Sequence, residues 1–211
     1  MGVLKLADES SVATPAAGIN AIYGDTTVLP VVRLVDDAGN DTQISPIITA
    51  SAAGQSPTAA VRTLITGSTV TVPAIKLKVG AVYRCRFAMT KTAAGVATST
   101  IDVAVGTTGS TADAARLSFT KPAGTAAADE AWVELFVVVK AIGATGVVTG
   151  TVHIDHQLAT TGHMAQQAAV ITATSATFDT TTAGLKISVC LTSGASDAIT
   201  ITHCYAELLN N

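Results

Sequence analysis

The segment Val82–Met89 alternates without a break. Val82, Arg84, Arg86 and Ala88 fall on one parity, and Tyr83, Cys85, Phe87 and Met89 on the other. Successive side chains of a strand point to opposite faces, so this period of two specifies a half-buried strand. The same period recurs near the C-terminus, where Ile199, Ile201, His203 and Tyr205 alternate with Thr200, Thr202, Cys204 and Ala206. Strand signals also cover 60–67, 68–73, 81–91, 97–106, 115–120, 131–142, 147–158, 168–175, 185–193 and 198–208. The turns KTAAG, GTTGS, KPAGTAAADE, GATG and SGASD punctuate them. No amphipathic helix of useful length interrupts the series, and STADAAR (110–116) supports one short turn at most. Short strands at this spacing imply an all-β fold, an antiparallel β-sandwich.

The N-terminal part is organised differently. Residues 1–20 are small, polar and Ala-rich, with Thr14-Pro15 and Gly18 as breakers. A compact β unit follows. Ile22 and Tyr23 close one short strand, VLPVVRLV forms a second, and DDAGND (Asp36 to Asp41) is a hairpin-type turn in which Gly39 is free to take positive φ. Pro30 suits a strand-entry position. Residues 49–59, TASAAGQSPTA, have small side chains and no charge, the composition of a linker. The expected organisation is therefore a small N-terminal β module over 1–48, a linker over 49–59, and a sandwich over 60–211.

Composition excludes several functions. The net charge is −3 with no Lys/Arg cluster, so nucleic acid, which requires clustered cations, is not an expected partner. The most apolar region, 131–154, is broken by Glu134, Lys140, His153 and several glycines before it reaches the ~20 apolar residues of a membrane span. An acidic pair, Asp8 and Glu9, stands where a signal peptide carries its apolar core, so synthesis in a cytosol is expected. Leu6 replaces the Ser or Thr that would follow Gly2 in a myristoylation signal. Cys85, Cys190 and Cys204 lie in apolar, strand-like runs and are expected as buried free thiols. A Cys190–Cys204 bridge across neighbouring strands is the alternative.

The stretch TVHIDHQLATTGH (151–163) gathers three of the four histidines. In a strand, His153 and Asp155 share one face, whereas Val152, Ile154, His156 and Leu158 share the other. The imidazoles of His153 and His156 then diverge and cannot hold one ion; a metal site uses i and i+2 in a strand or i and i+4 in a helix. His153 is expected to bond Asp155 or a neighbouring strand, and His156 to be a satisfied core histidine. A jelly-roll metalloenzyme of cupin type would show His-x-His followed by a Glu and a distant His, which HIDH does not match. No GxSxG elbow occurs, GTTGSTAD lacks the GK[ST] of a phosphate loop, and GATGVVTG opens no helix. The carboxylate pairs Asp8/Glu9, Asp36/Asp37 and Asp129/Glu130 fall in expected loops, and neighbours in sequence diverge rather than converge across a cleft. Trp132, beside Val133 and Leu135, is expected in the core; its other role would be a sugar-stacking platform. Not an enzyme, no cofactor and no metal is the expectation.

The stretch ATPAAGINAIYGDTTVLPVVRLVDDAGNDTQI resembles the N-terminal module of tailed-bacteriophage fibre and head-fibre proteins, matching at Thr14, Pro15, Gly18, Ile22, Tyr23, Asp37 and Gly39. Where that module starts a strand with Gly-Lys-Leu, this chain has Thr27-Val28-Leu29. Most of 60–211, notably 80–158, resembles the jelly-roll domain of phage structural proteins. The resemblance implies a virion location after synthesis in the host cytoplasm, a homotrimer, and a jelly roll facing outward. It further implies attachment to the major capsid protein or another virion protein through the N-terminal module, with Ile22, Tyr23, Val32 and Leu34 as attachment residues. A trimer suits the composition, because Ala/Thr/Val-rich faces with 13% charged residues pack closely on identical neighbours. A capsid decoration or head-fibre protein is the expected function. A tail fibre or receptor-binding protein is the alternative, and a carbohydrate-binding module a third possibility.

Overall fold

The first strand of the body pairs with its last. In the computed structural model, residues 46–73 and 77–209 are described, together with the backbone of the strands Ala7–Asp8 (β1), Ala21–Asp25 (β2), Val31–Val35 (β3) and Asp41–Gln43 (β4). These four form one sheet in the order β1-β2-β3-β4. The body contains β5 (Ile47–Ser51), β6 (Thr63–Leu64), β7 (Val70–Thr71), β8 (Val82–Lys91), β9 (Ser99–Gly106) and β10 (Ala114–Lys121). It continues with β11 (Asp129–Ala141), β12 (Val147–His156), β13 (Ala168–Thr174), β14 (Lys186–Thr192) and β15 (Ile199–Leu209). No helix occurs among the described residues.

Two antiparallel sheets result. A six-stranded sheet has the order β13-β12-β11-β8-β15-β5, and the facing sheet the order β10-β9-β14-β6, with β7 also on β14. The pairing is nested: β5 with β15, β6 and β7 with β14, β8 with β11, β9 with β10. Pairing first with last and second with next-to-last, and then dividing the strands between two sheets, is the jelly-roll winding. The β12–β13 hairpin extends one sheet beyond that plan.

The alternation foreseen in β8 holds residue by residue: Tyr83, Cys85, Phe87, Met89 and Lys91 are buried, and the residues between them are not. From the six-stranded sheet, Phe87, Val133, Leu135, Val152 and Ile154 enter the core; from the facing sheet come Ile101, Val103, Leu117, Phe119 and Val189. Gly150 belongs to this contact, because a Cβ there would lie 2.8 Å from Leu117 Cδ1 on the opposite sheet. The Tyr83 hydroxyl donates to the Ser68 carbonyl at 2.6 Å, which satisfies a phenol that is otherwise enclosed.

Two expectations are corrected. In β15 the straight alternation fails, because a bulge at Thr202 shifts the register between Ile201 and His203. Ile199 and Ile201 therefore share the inward side with Cys204, Ala206 and Leu208, and His203 turns out. A bulge inserts one residue and reverses the parity beyond it, which here keeps every large aliphatic group inside. The linker expected over 49–59 also begins too early. Residues 47–51 are the edge strand on β15, and Gln55 exchanges backbone bonds of 2.8 and 2.7 Å with Ile201. Edge strands are held by backbone hydrogen bonds, so the small side chains of 49–51 did not mark this one.

All three cysteines are free and buried. Cys190 lies in the facing sheet, away from Cys204, whose neighbour at 3.7 Å is the thiol of Cys85. Burial pushes the Cys85 thiol up strongly and that of Cys190 up to about 11. A thiol reagent at pH 8 should therefore label none of them until denaturant is added. Phe87→Ala should cost ~3–5 kcal/mol in a urea titration, whereas Phe136→Ala, on the outer face, should cost less than about 1 kcal/mol.

Candidate functional site

The histidine-rich segment occupies β12 and the loop after it. Val152, Ile154 and His156 point inward, while His153 and Asp155 are exposed. The two imidazoles diverge as the period of two requires. His153 does not bond Asp155; it stands opposite Glu134 on β11 and Val170 on β13. His156 is a satisfied core histidine. Its Nδ1 lies 2.6 Å from Asp129 Oδ2, and its Nε2 lies 2.6 Å from the Gln166 carbonyl. Both partners are acceptors, so both bonds are complete only when the ring carries two protons.

Asp129 organises this end of the sandwich. It opens β11 rather than lying in a loop, and it also accepts the backbone N–H groups of His163 at 2.9 Å and Leu158 at 3.2 Å. Burial pushes its carboxyl up, but the bonds from His163, His156 and Glu130 outweigh burial and hold it below the usual carboxylate range. Two lysines close the same end. Lys91 donates to the carbonyls of Thr125 at 2.8 Å and Ala127 at 3.1 Å, and Lys121 to those of His163 at 2.5 Å and Pro122 at 2.8 Å. Burial lowers Lys121 to about 8, against the opposing pull of Asp197. His163 is enclosed with neither ring nitrogen hydrogen-bonded, and burial brings it down to about 4. These groups tie loops together. No set of three or more His, Cys, Asp or Glu suited to a metal ion converges among the described residues.

The surface that can receive a ligand lies on the outer side of the six-stranded sheet. Trp132 is not in the core: it is 41% exposed, and its ring centroid lies 5.8 Å from that of His203. Its parity gave the signal, because it alternates with Val133 and Leu135 and shares a face with Glu130 and Glu134. Around it is a hollow of about 540 Å³ whose rim includes Thr90, Glu130, Asp155, Gln157, Gln167 and Thr202. Trp132 stands opposite Asp155 on one side and Ala88 on the other.

The four residues expected to serve attachment, Ile22, Tyr23, Val32 and Leu34, lie on β2 and β3. Ile22 stands opposite Leu34, Tyr23 opposite Arg33, and Val32 opposite Gly24. Their side chains lie outside the described residues. No protein-family model matches the chain, and no curated protein matches it.

The buried end predicts an acid response. Native His163 stays neutral down to about 4, while the unfolded ring takes a proton below about 6.5. The unfolded state thus binds more protons between those values, and stability must fall as pH drops through that window, by at most ~1.4 kcal/mol per pH unit. Thermal melts between pH 7 and pH 4 should show this slope, and His163→Gln should flatten it. Asp129→Ala, which removes the partner of His156 and of the backbone N–H groups of His163, Leu158 and Glu130, should cost about 3 kcal/mol or more at pH 7 by denaturant titration.

Proposed function

We propose that this chain is a non-enzymatic structural protein of a tailed-bacteriophage particle. In this reading it is a homotrimeric capsid decoration or head-fibre protein, made in the host cytoplasm and docked on the major capsid shell through residues 1–48. The phage part of this reading rests on the sequence resemblance, and the observation that supports self-association is one cross-strand row on the outer face of the six-stranded sheet. Ile48, Glu207, Arg84 and Phe136 follow one another across β5, β15, β8 and β11. Ile48 is 49% and Phe136 43% exposed, and between them Arg84 and Glu207 already neutralise each other in an ion pair. Large apolar groups in solvent on either side of a mutually neutralised ion pair suit close packing against an identical copy. The buried polar groups agree with a structural role, because Lys91, Lys121 and Asp129 are engaged by carbonyls, amides and His156 rather than aimed at solvent.

A tail location with receptor binding is the second reading, and exposed Trp132 in its hollow is the observation that favours it. Electron microscopy of phage particles carrying a gold-labelled chain separates the two. Label over the head is expected, label at the tail tip would move the protein to host recognition, and unlabelled particles would refute both. In solution, light scattering should give a trimer at micromolar concentration, and Phe136→Asp should shift it towards monomer. A clean monomer of the unaltered chain would refute the trimer.

A further inference from the structure

From the hollow around Trp132 we infer a binding site for a neutral or amino sugar, formed by β8, β11, β12, β15 and the loop after β12. The inference does not depend on where the protein sits on a particle, nor on its oligomeric state.

The hollow combines an aromatic face with planar polar groups. Trp132 presents a partly exposed indole, tilted by 46° to the ring of His203, beside the small side chain of Ala88. The C–H face of a pyranose ring is apolar and flat, and its hydroxyls project from the edge. An indole therefore covers the first while carboxylates, carboxamides and hydroxyls reach the second. The rim supplies all three kinds: Glu130 and Asp155, Gln157 and Gln167, Thr90 and Thr202. Binding sites generally pair an apolar floor with a few polar groups that fix orientation.

Those polar groups are available. The side chains of Glu130, Asp155, Gln157 and Gln167 make no hydrogen bond to other described residues, unlike the carboxylates of Asp102, Asp113, Asp129 and Glu134, each of which has partners. Thr202 alone on the rim is engaged, donating to Ala88 O at 3.4 Å and lying 3.2 Å from His203 Nδ1. The platform is rigid, since Trp132 sits in a three-strand ladder between Ala88 and Asp155, and the bulge at Thr202 turns His203 towards it.

Charge selects the class of sugar. Two carboxylates and no Lys or Arg line the hollow. The nearest guanidinium on the same face, Arg86, is bound to Glu134 at 2.5 and 2.8 Å. An acidic sugar would meet two carboxylates with no lysine or arginine to offset them, whereas a hydroxyl or an ammonium group would be accepted.

Trp132 is the single tryptophan of the chain, so intrinsic tryptophan emission reports on this hollow alone. The full chain is titrated with glucose, galactose, mannose, N-acetylglucosamine, glucosamine and N-acetylneuraminic acid, and screened on an array of longer saccharides. The expected result is a saturable change in emission with at least one neutral or amino sugar, and none with N-acetylneuraminic acid. By calorimetry, Trp132→Ala should weaken binding roughly tenfold or more, and Trp132→Phe less. Asp155→Ala, an exposed position whose loss leaves the fold intact, should also weaken it severalfold. Absence of binding to every neutral and amino sugar overturns the inference. So does preferential binding of the acidic sugar, or binding that survives both Trp132→Ala and Asp155→Ala.

Discussion

The docking of β15 between β5 and β8 is the constraint on which the rest of the body depends. Until residues 199–209 arrive, β5 has no partner, β8 lacks one neighbour, and the six-stranded sheet is divided. The strands being joined stand at opposite ends of the body, so loop-closure entropy opposes the step before any contact rewards it. The bulge at Thr202 is the local adjustment that lets one strand satisfy both neighbours while keeping Ile199, Ile201, Cys204 and Ala206 inside. The β11–β12 hairpin, in contrast, closes over GATG and needs nothing distant.

The sandwich would still be open at one end without its buried polar groups. Apolar side chains fill the middle of a sandwich, but the loops between strands bring backbone N–H and C=O groups that must be paired. Here Asp129 takes the N–H groups and Lys91 and Lys121 take the carbonyls. His163 is held in the same place by its backbone while its ring goes unsatisfied, which makes this end sensitive to acid. Charged groups buried for architecture resemble a catalytic cluster in sequence, and only their partners distinguish the two.

The two outer faces have different fates. Over the five-stranded sheet, Arg62 crosses to Asp102 with bonds of 2.9 and 2.5 Å, and Ala104, Ser188 and Cys190 are covered. The outer face of the six-stranded sheet is left open, and it carries Ile48, Trp132, Phe136 and Val170 in solvent. Both proposals above draw on this face, the assembly reading on the row through Phe136 and the sugar site on the hollow at Trp132. Trp132 and Phe136 lie four residues apart in β11, about 13 Å along the strand, so the two uses address different parts of it.

The strands of the sandwich after β5, and the inward parity of most of them, were legible in the sequence, because a period of two is a local property that packing only amplifies. Trp132 was expected in the core from its apolar neighbours and lies outward, beside Glu130 and Glu134; its parity, like that of the inward Lys91 and Lys121 behind Met89 and Phe119, was the better guide. The separation of His153 from His156 was legible for the same reason. Tertiary structure alone decided what depends on distant partners. It made 47–51 an edge strand, placed the bulge that reverses parity at Thr202, and put Cys204 beside Cys85 rather than Cys190. It also brought Asp129, His156 and His163 together, and set His203 against Trp132. The physical reason is common to all of these. A backbone that can pair anywhere takes its partner from the global winding, and the meaning of a side chain at the end of a strand follows from what that winding brings to it.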